Sequence, residues 1–173
     1  MSTTVIAIAV VAANGVIGDG RDQPFKFRED WQRFKRLTMG HPLVVGRTTH
    51  DAMGLLPGRT SIVVSHHPEL VRWPLEQPEG SRGLAVGSVE GALALASTLD
   101  ETVFVIGGGS VYRAAWPWIG ALDITAVHRS AEGGVLFPAI DPQQWRETFR
   151  EPGMRFDFVG YARREPARPL PGG

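Results

Sequence analysis

Cysteine is absent from the 173 residues. That excludes a disulfide framework, a thiolate nucleophile and any zinc site built on cysteine sulfur, and it suits a reducing compartment. An excess of either charge is missing too, since Lys plus Arg and Asp plus Glu are 18 each. No net field therefore draws the chain to nucleic acid or to a membrane. No apolar run approaches the roughly 20 residues that a membrane-spanning helix needs. The first apolar segment, Val5 to Val11, lacks a leading Lys or Arg and runs into the turn signal Asn14-Gly15. It reads as a buried strand and not as a signal peptide, so a cytoplasmic protein is expected.

Several catalytic motifs are missing as well. There is no G-x-S-x-G, because Gly108-Gly109-Ser110-Val111-Tyr112 lacks the closing glycine. A Walker-type phosphate loop does not occur. The five histidines, His41, His50, His66, His67 and His128, show no metal-ligand spacing, and no metal is expected.

What is present is a recurrence of short apolar runs. Strands are expected at Val5–Ala12, Leu43–Val45, Ser61–Val64, Gly83–Val86, Val103–Ile106, Leu122–His128 and Phe156–Arg163. Helical patterns intervene at Arg28–Thr38, Thr48–Met53, Val89–Thr98 and Val111–Trp118. This alternation predicts an α/β fold: a mixed, mainly parallel central sheet with flanking helices and an antiparallel C-terminal edge hairpin. Residues 1–165 are expected to form a single domain. The tail from Pro166 to Gly173, with three prolines and two terminal glycines, is expected to be flexible.

The segment Phe27 to Thr38 carries the most chemical information. At about 100° per residue, Phe27, Trp31, Phe34, Leu37 and Thr38 share one side of a helix, and Arg28, Glu29, Gln32, Arg33, Lys35 and Arg36 the other. Asp30 breaks the pattern by falling between Phe34 and Leu37. A carboxylate there costs several kcal/mol unless it is paired or hydrogen-bonded. It either accepts backbone N–H groups at the helix start or grips a planar ligand with adjacent N–H donors, such as an aminopyrimidine, with Phe34 as an apolar wall. Burial would raise its proton affinity and suit it to handling a proton.

Two strand-to-helix junctions have the composition of anion sites. In Val103–Ile106 followed by Gly107-Gly108-Gly109-Ser110-Val111, glycines let backbone N–H groups approach a phosphate. A plain tight turn explains the same residues. In Val45-Gly46-Arg47-Thr48-Thr49, hydroxyl residues open a helix and Arg47 adds a planar cation; an exposed Arg beside an ordinary cap is the simpler account. Two such junctions together suit a ligand with separated phosphates. Arg47, Ser65 and His66 then favour NADPH over NADH through a 2′-phosphate.

These motifs, in order, resemble dihydrofolate reductase of the chromosomal bacterial type, from about Val5 to Arg164. They are Asn14-Gly15-Val16-Ile17-Gly18, the Asp30 helix ending Phe34-Lys35-Arg36-Leu37-Thr38, Val45-Gly46-Arg47-Thr48-Thr49, Leu56-Pro57-Gly58-Arg59 and Val105-Ile106-Gly107-Gly108-Gly109-Ser110-Val111-Tyr112. The resemblance implies that fold and the NADPH-dependent reduction of 7,8-dihydrofolate, by hydride transfer to C6 with protonation at N5. It implies Asp30 as the catalytic carboxylate, Ile8, Val10, Phe34 and Ile106 as the ring pocket, and Thr125 as partner of Asp30. Arg59 would hold the carboxylate of the substrate's glutamate tail. The implied NADPH residues are Val10, Ile17, Gly46, Arg47, Thr48, Thr49, Val64, Ser65, His66, Gly107, Gly108, Gly109, Ser110 and Val111. Residues 15–24 would form a mobile lid. The expected partners are dihydrofolate and antifolate inhibitors, with no nucleic acid or membrane, and the chain is expected to be a monomer.

The chain departs from the family's pattern at four places. Phe25 stands where the family usually has Trp, His50 replaces an aromatic, Gly134 replaces an acid that steadies the lid, and Gly54-Leu55-Leu56 is short. An altered lid closure is expected. The alternatives are a riboflavin-pathway pyrimidine reductase on the same fold, against which Asp30 and Arg59 both argue, and a catalytically silent folate or nucleotide binder.

Overall fold

A computed structural model describes residues 2–20 and 22–171. Arg21, inside the expected lid, and the last two glycines of the tail lie outside the described residues. The strands are β1 (Thr4–Val11), β2 (Val16–Gly18), β3 (Pro42–Gly46), β4 (Thr60–Val64), β5 (Arg82–Val86), β6 (Thr102–Val105), β7 (Ala121–Val127), β8 (Val135–Leu136), β9 (Trp145–Glu151) and β10 (Phe156–Arg163). The helices are α1 (Arg28–Thr38), α2 (Arg47–Met53), α3 (Val89–Ser97) and α4 (Gly109–Ala115).

Eight strands form one sheet in the order β5-β4-β3-β6-β1-β7-β10-β9. From β5 to β7 every pairing is parallel, whereas β10 runs antiparallel to both β7 and β9. The fold is therefore the mixed α/β sheet expected from the alternation of elements. One expected helix differs: Val111–Trp118 is instead the shorter α4 followed by a 3-10 turn at Trp116–Trp118, because Pro117 cannot continue an α-helical ladder.

Alternation along the central strands explains how both faces are covered. Val5 and Ala7 of β1 and Val103 and Val105 of β6 meet α3 and α4 through Ala92, Leu93, Ala96, Val111 and Tyr112. The residues between them, Ile6, Ile8 and Phe104, pack with Phe34 and Leu37 of α1 on the other face. Helix α1 is favoured by Glu29 and Asp30 in its first turn and Lys35 and Arg36 in its last, which oppose the ends of its dipole. In α3 the Ser88 hydroxyl accepts from the Gly91 N–H at 3.0 Å, a side-chain N-cap.

Strand β9 was not among the expected strands. Its sequence, Trp-Arg-Glu-Thr-Phe-Arg-Glu, is exposed at every position but Trp145. An outermost strand needs little apolar patterning, and charges along it discourage pairing with another chain. The tail from Pro166 lies on the domain as far as it is described: the Arg168 N–H donates to the Pro117 carbonyl at 2.9 Å, and Leu170 packs on the main core.

Candidate active site

The central strands β1, β3 and β6 end together. The Gly46 N–H donates to the Gly107 carbonyl at 2.8 Å, the Ile106 N–H to the Val44 carbonyl at 3.0 Å, and the Tyr112 hydroxyl to the Ile8 carbonyl at 2.6 Å. Burial, with the charge of Asp30 second, pushes the Tyr112 phenol well above its ordinary pKa, so it remains a neutral donor. A cleft of about 1650 Å³ opens at these carboxyl ends, the place where open α/β sheets present their ligand crevice.

One limb of the cleft is apolar. Ile8 and Val10 of β1, Phe34 of α1 and Ile106 line it, with Asp30 among them. Trp31, 48% exposed, stacks on Phe34 with ring centroids 5.3 Å apart. The Thr125 hydroxyl, buried on β7, donates to Asp30 Oδ1. Burial raises the pKa of the Asp30 carboxyl above its usual range, against the lowering effects of the Thr125 hydrogen bond and the Arg33 charge. A part-buried acid beside an apolar slot, with one oxygen bonded, has acceptor capacity left for the paired N–H groups of a heterocycle.

The other limb is lined by backbone and hydroxyls. Gly46, Arg47, Thr48 and Thr49 border one side and Gly107, Gly108, Gly109, Ser110 and Val111 the other, with Ile17, Val64, Ser65 and His66 also in the wall. A β-carbon on Gly46 would lie 3.1 Å from Val111 Cγ2, 3.6 Å from the Gly107 carbonyl oxygen and 3.7 Å from the Gly108 nitrogen. The two junctions thus touch, forming one backbone cradle. Helices α2 and α4 both begin there, and first-turn N–H groups have no acceptor within their own helix. Arg47 is exposed and paired with Asp51 at 2.8 Å, one turn along α2.

Every residue expected in the site borders the cleft except Thr125 and Arg59. Thr125 lies beneath Asp30. Arg59 is only 3% exposed, with its guanidinium 5.9 Å from the Phe34 ring. It donates to the Pro57 carbonyl at 3.0 Å and to the Thr38 hydroxyl at 3.1 Å. Burial draws its pKa below the ordinary value, and among the described residues no carboxylate pairs with it.

The sequence reasoning missed some of the site. Arg33, assigned to the outer face of α1, turns inward and makes a forked ion pair with Asp123 of β7. At 100° per residue Arg33 lies only 60° from Asp30, so the boundary of the apolar stripe was drawn too narrowly. Asp123 gave its own signal, as a lone acid in an apolar strand. The departures also resolve into contacts. Phe25 stacks on Phe27, a residue of the cleft wall, with ring centroids 5.9 Å apart. His50 is buried, its Nε2 3.1 Å from the Arg72 carbonyl and its ring edge-on to Trp73. Gly134 is exposed, and backbone pairing anchors the lid's first strand: β2 pairs with β8, and the Phe137 N–H donates to the Gly15 carbonyl at 2.9 Å.

The dihydrofolate reductase family model matches residues 4–163. The chain is 37% identical over 172 residues to dihydrofolate reductase HdrB of Haloferax volcanii, covering 94% of this chain and 84% of that protein. It is 37% identical over 164 residues to the dihydrofolate reductase of Neisseria meningitidis serogroup B, covering 90% of this chain and 96% of the other. A solved structure, the dihydrofolate reductase of Enterococcus faecalis complexed with NADP(H) and RAB-propyl, superposes with a TM-score of 0.79 at 31% identity. That match covers 94% of this chain and 97% of the other. A cleft that joins a part-buried carboxylate to a glycine cradle, and the extent of these matches, lead to one conclusion: the chain belongs to the dihydrofolate reductase family.

Proposed function

We propose that this protein reduces 7,8-dihydrofolate to 5,6,7,8-tetrahydrofolate with NADPH, and that Asp30 is its one ionisable catalytic group. The observation that carries this reading is the position of Asp30, part-buried against Thr125 in the apolar limb of a cleft whose other limb is a glycine cradle. The carboxylate accepts the 2-amino and N3 hydrogens of the pteridine edge. Its raised proton affinity lets it favour protonation at N5 near neutral pH. Ile8, Val10, Phe34 and Ile106 hold the ring and keep water from the reacting face.

The cradle fits a dinucleotide diphosphate, because it is built without side chains where Gly46 meets Gly107 and Gly108. Gly46, Thr48, Thr49 and the Gly107–Val111 turn hold the diphosphate through N–H and hydroxyl donors. Val10 and Ile17 border the nicotinamide end, and Val64, Ser65, His66 and Arg47 the adenosine end, with Arg47 on the 2′-phosphate. When bound, NADPH supplies the hydride that reaches C6. Arg59 takes the carboxylate of the glutamate tail by a forked hydrogen bond. Antifolates compete for the Asp30 limb.

Among the described residues no helix is long and apolar enough to cross a membrane. A cytoplasmic, monomeric enzyme completes the proposal, and a cysteine-free sequence suits that compartment. The test follows NADPH absorbance with dihydrofolate for the wild type and for Asp30→Asn. The amide keeps the shape and loses the charge and the titration, so turnover at neutral pH is expected to fall by about 100-fold or more. An unchanged rate removes Asp30 from the mechanism. A wild type that binds both ligands and turns neither over favours the silent binder.

A further inference from the structure

Arg33 and Asp123 line no part of the cleft, yet theirs is the most enclosed ion pair among the described residues, with side chains 15% and 14% exposed. The contact is a fork on a fork: Nη1 donates to Oδ1, and Nη2 to Oδ2 at 2.9 Å. The guanidinium lies over the Phe158 ring at 4.6 Å, and Phe149 is 5.8 Å away. Arg33 follows Asp30 by one turn of α1, and Asp123 precedes Thr125 by two residues on β7. Each couple therefore shares a face of its element. Helix and strand are joined by two parallel polar rungs, Asp30 to Thr125 and Arg33 to Asp123.

A part-buried ion pair is weak evidence for stability, since apolar residues of similar volume often serve as well. What the pair supplies here is geometry and charge beside the carboxylate. We propose that Arg33 and Asp123 act as positioning residues for Asp30. They fix α1 on β7 so that Asp30 meets Thr125 at the cleft, and they keep opposite charges balanced around it. This rests on the reading of Asp30 as the catalytic carboxylate.

The groups that face Asp30 are few. On α1 there is Arg33, whose charge lowers the carboxyl's proton affinity, and on β7 Asp123, whose charge raises it, with the Thr125 hydroxyl between. On α4 the Tyr112 phenol is neutral and occupied with the Ile8 carbonyl. Ile8 and Val10 of β1, Phe158 of β10 and Phe149 of β9 carry no charge. Lys26, two residues before α1, and Arg28, its first residue, also border the cleft.

The test titrates the Asp30 carboxyl by carbon-13 NMR of the full chain labelled at aspartate, assigned by its loss in Asp30→Asn. Arg33→Met leaves Asp123 uncompensated, so the Asp30 midpoint is expected to move up. Asp123→Asn leaves Arg33 uncompensated, so the midpoint is expected to move down. Shifts of about half a unit or more are expected, and the pH profile of turnover should move the same way in each. The double variant Arg33→Met with Asp123→Leu should return the midpoint close to the wild-type value. If Arg33→Met is too unstable to titrate, Asp123→Asn and the double variant still give the fall and the return. A midpoint that stays put, or moves the same way in both single variants, overturns the proposal. Full turnover in Asp30→Asn would instead remove the catalytic reading, and the titration would still judge the pair.

Discussion

The Thr125 hydroxyl on β7 donates to Asp30 Oδ1 on α1, across the seam between sheet and helix. The bond favours the ionised carboxyl, but burial outweighs it and the net pKa is raised. Asp30 is therefore held in the fold at a cost whenever it is charged, a cost that function explains better than stability does.

That cost has a sign in pH. The folded-state pKa of Asp30 lies above its ordinary value of 3.8. Its contribution to stability is thus complete below about pH 4 and is lost as pH rises through the folded-state value. Asp30→Asn carries no such loss. Its thermal midpoint is expected to exceed the wild type's by a few degrees at pH 8, with the gap closing as the pH falls towards 4. Calorimetry at several pH values decides this, and a gap independent of pH would contradict the assignment.

Arg59 has a buried fork with hydrogen-bond partners and, among the described residues, no carboxylate. Lysine keeps the charge and loses the fork. Arg59→Lys should raise KM for dihydrofolate by about 10- to 100-fold, with kcat changed little. A dihydropteridine without the glutamate tail should be reduced as well by the variant as by the wild type. Equal loss on both substrates would show that Arg59 acts only through the fold.

The glycine cradle separates backbone strain from ligand clearance. Gly107 has φ +119°, and a β-carbon there would lie 3.4 Å from the Tyr112 ring. Gly108 has negative φ, and its β-carbon would meet only Thr49 Oγ1, at 3.5 Å. Gly107→Ala should therefore lower the melting temperature by roughly 4 °C or more. Gly108→Ala should leave it nearly unchanged while weakening NADPH by about tenfold, through a methyl group in the diphosphate path. Fluorescence titration with NADPH measures the second effect, and undiminished binding would move the diphosphate elsewhere.

Much of this was legible in the residues. Apolar runs of strand length gave β1, β3, β4, β5, β6, β7 and β10 within a residue or so at each end, because a sheet covered on both faces needs near-continuous hydrophobic strands. The anomaly of Asp30 was visible because a helical period assigns each residue a side, and a carboxylate on the apolar side stands out. The glycine turns were visible because few other residues suit those junctions. Strand β9 and the β2–β8 pair left no such trace, since β9 is solvent-facing along most of its length and β2 and β8 are short.

The sequence alone determined the elements, the faces they bury and the chemical types available at each junction, because these follow from local period and composition. Tertiary structure decided what those types meet. Only the strand order brings Gly46 against Gly107 across the ends of β3 and β6. Only the docking of α1 on β7 pairs Arg33 with Asp123, 90 residues apart, and turns an outward-looking cation inward. Such pairings depend on distances closed by the whole chain, and no window of neighbouring residues contains them.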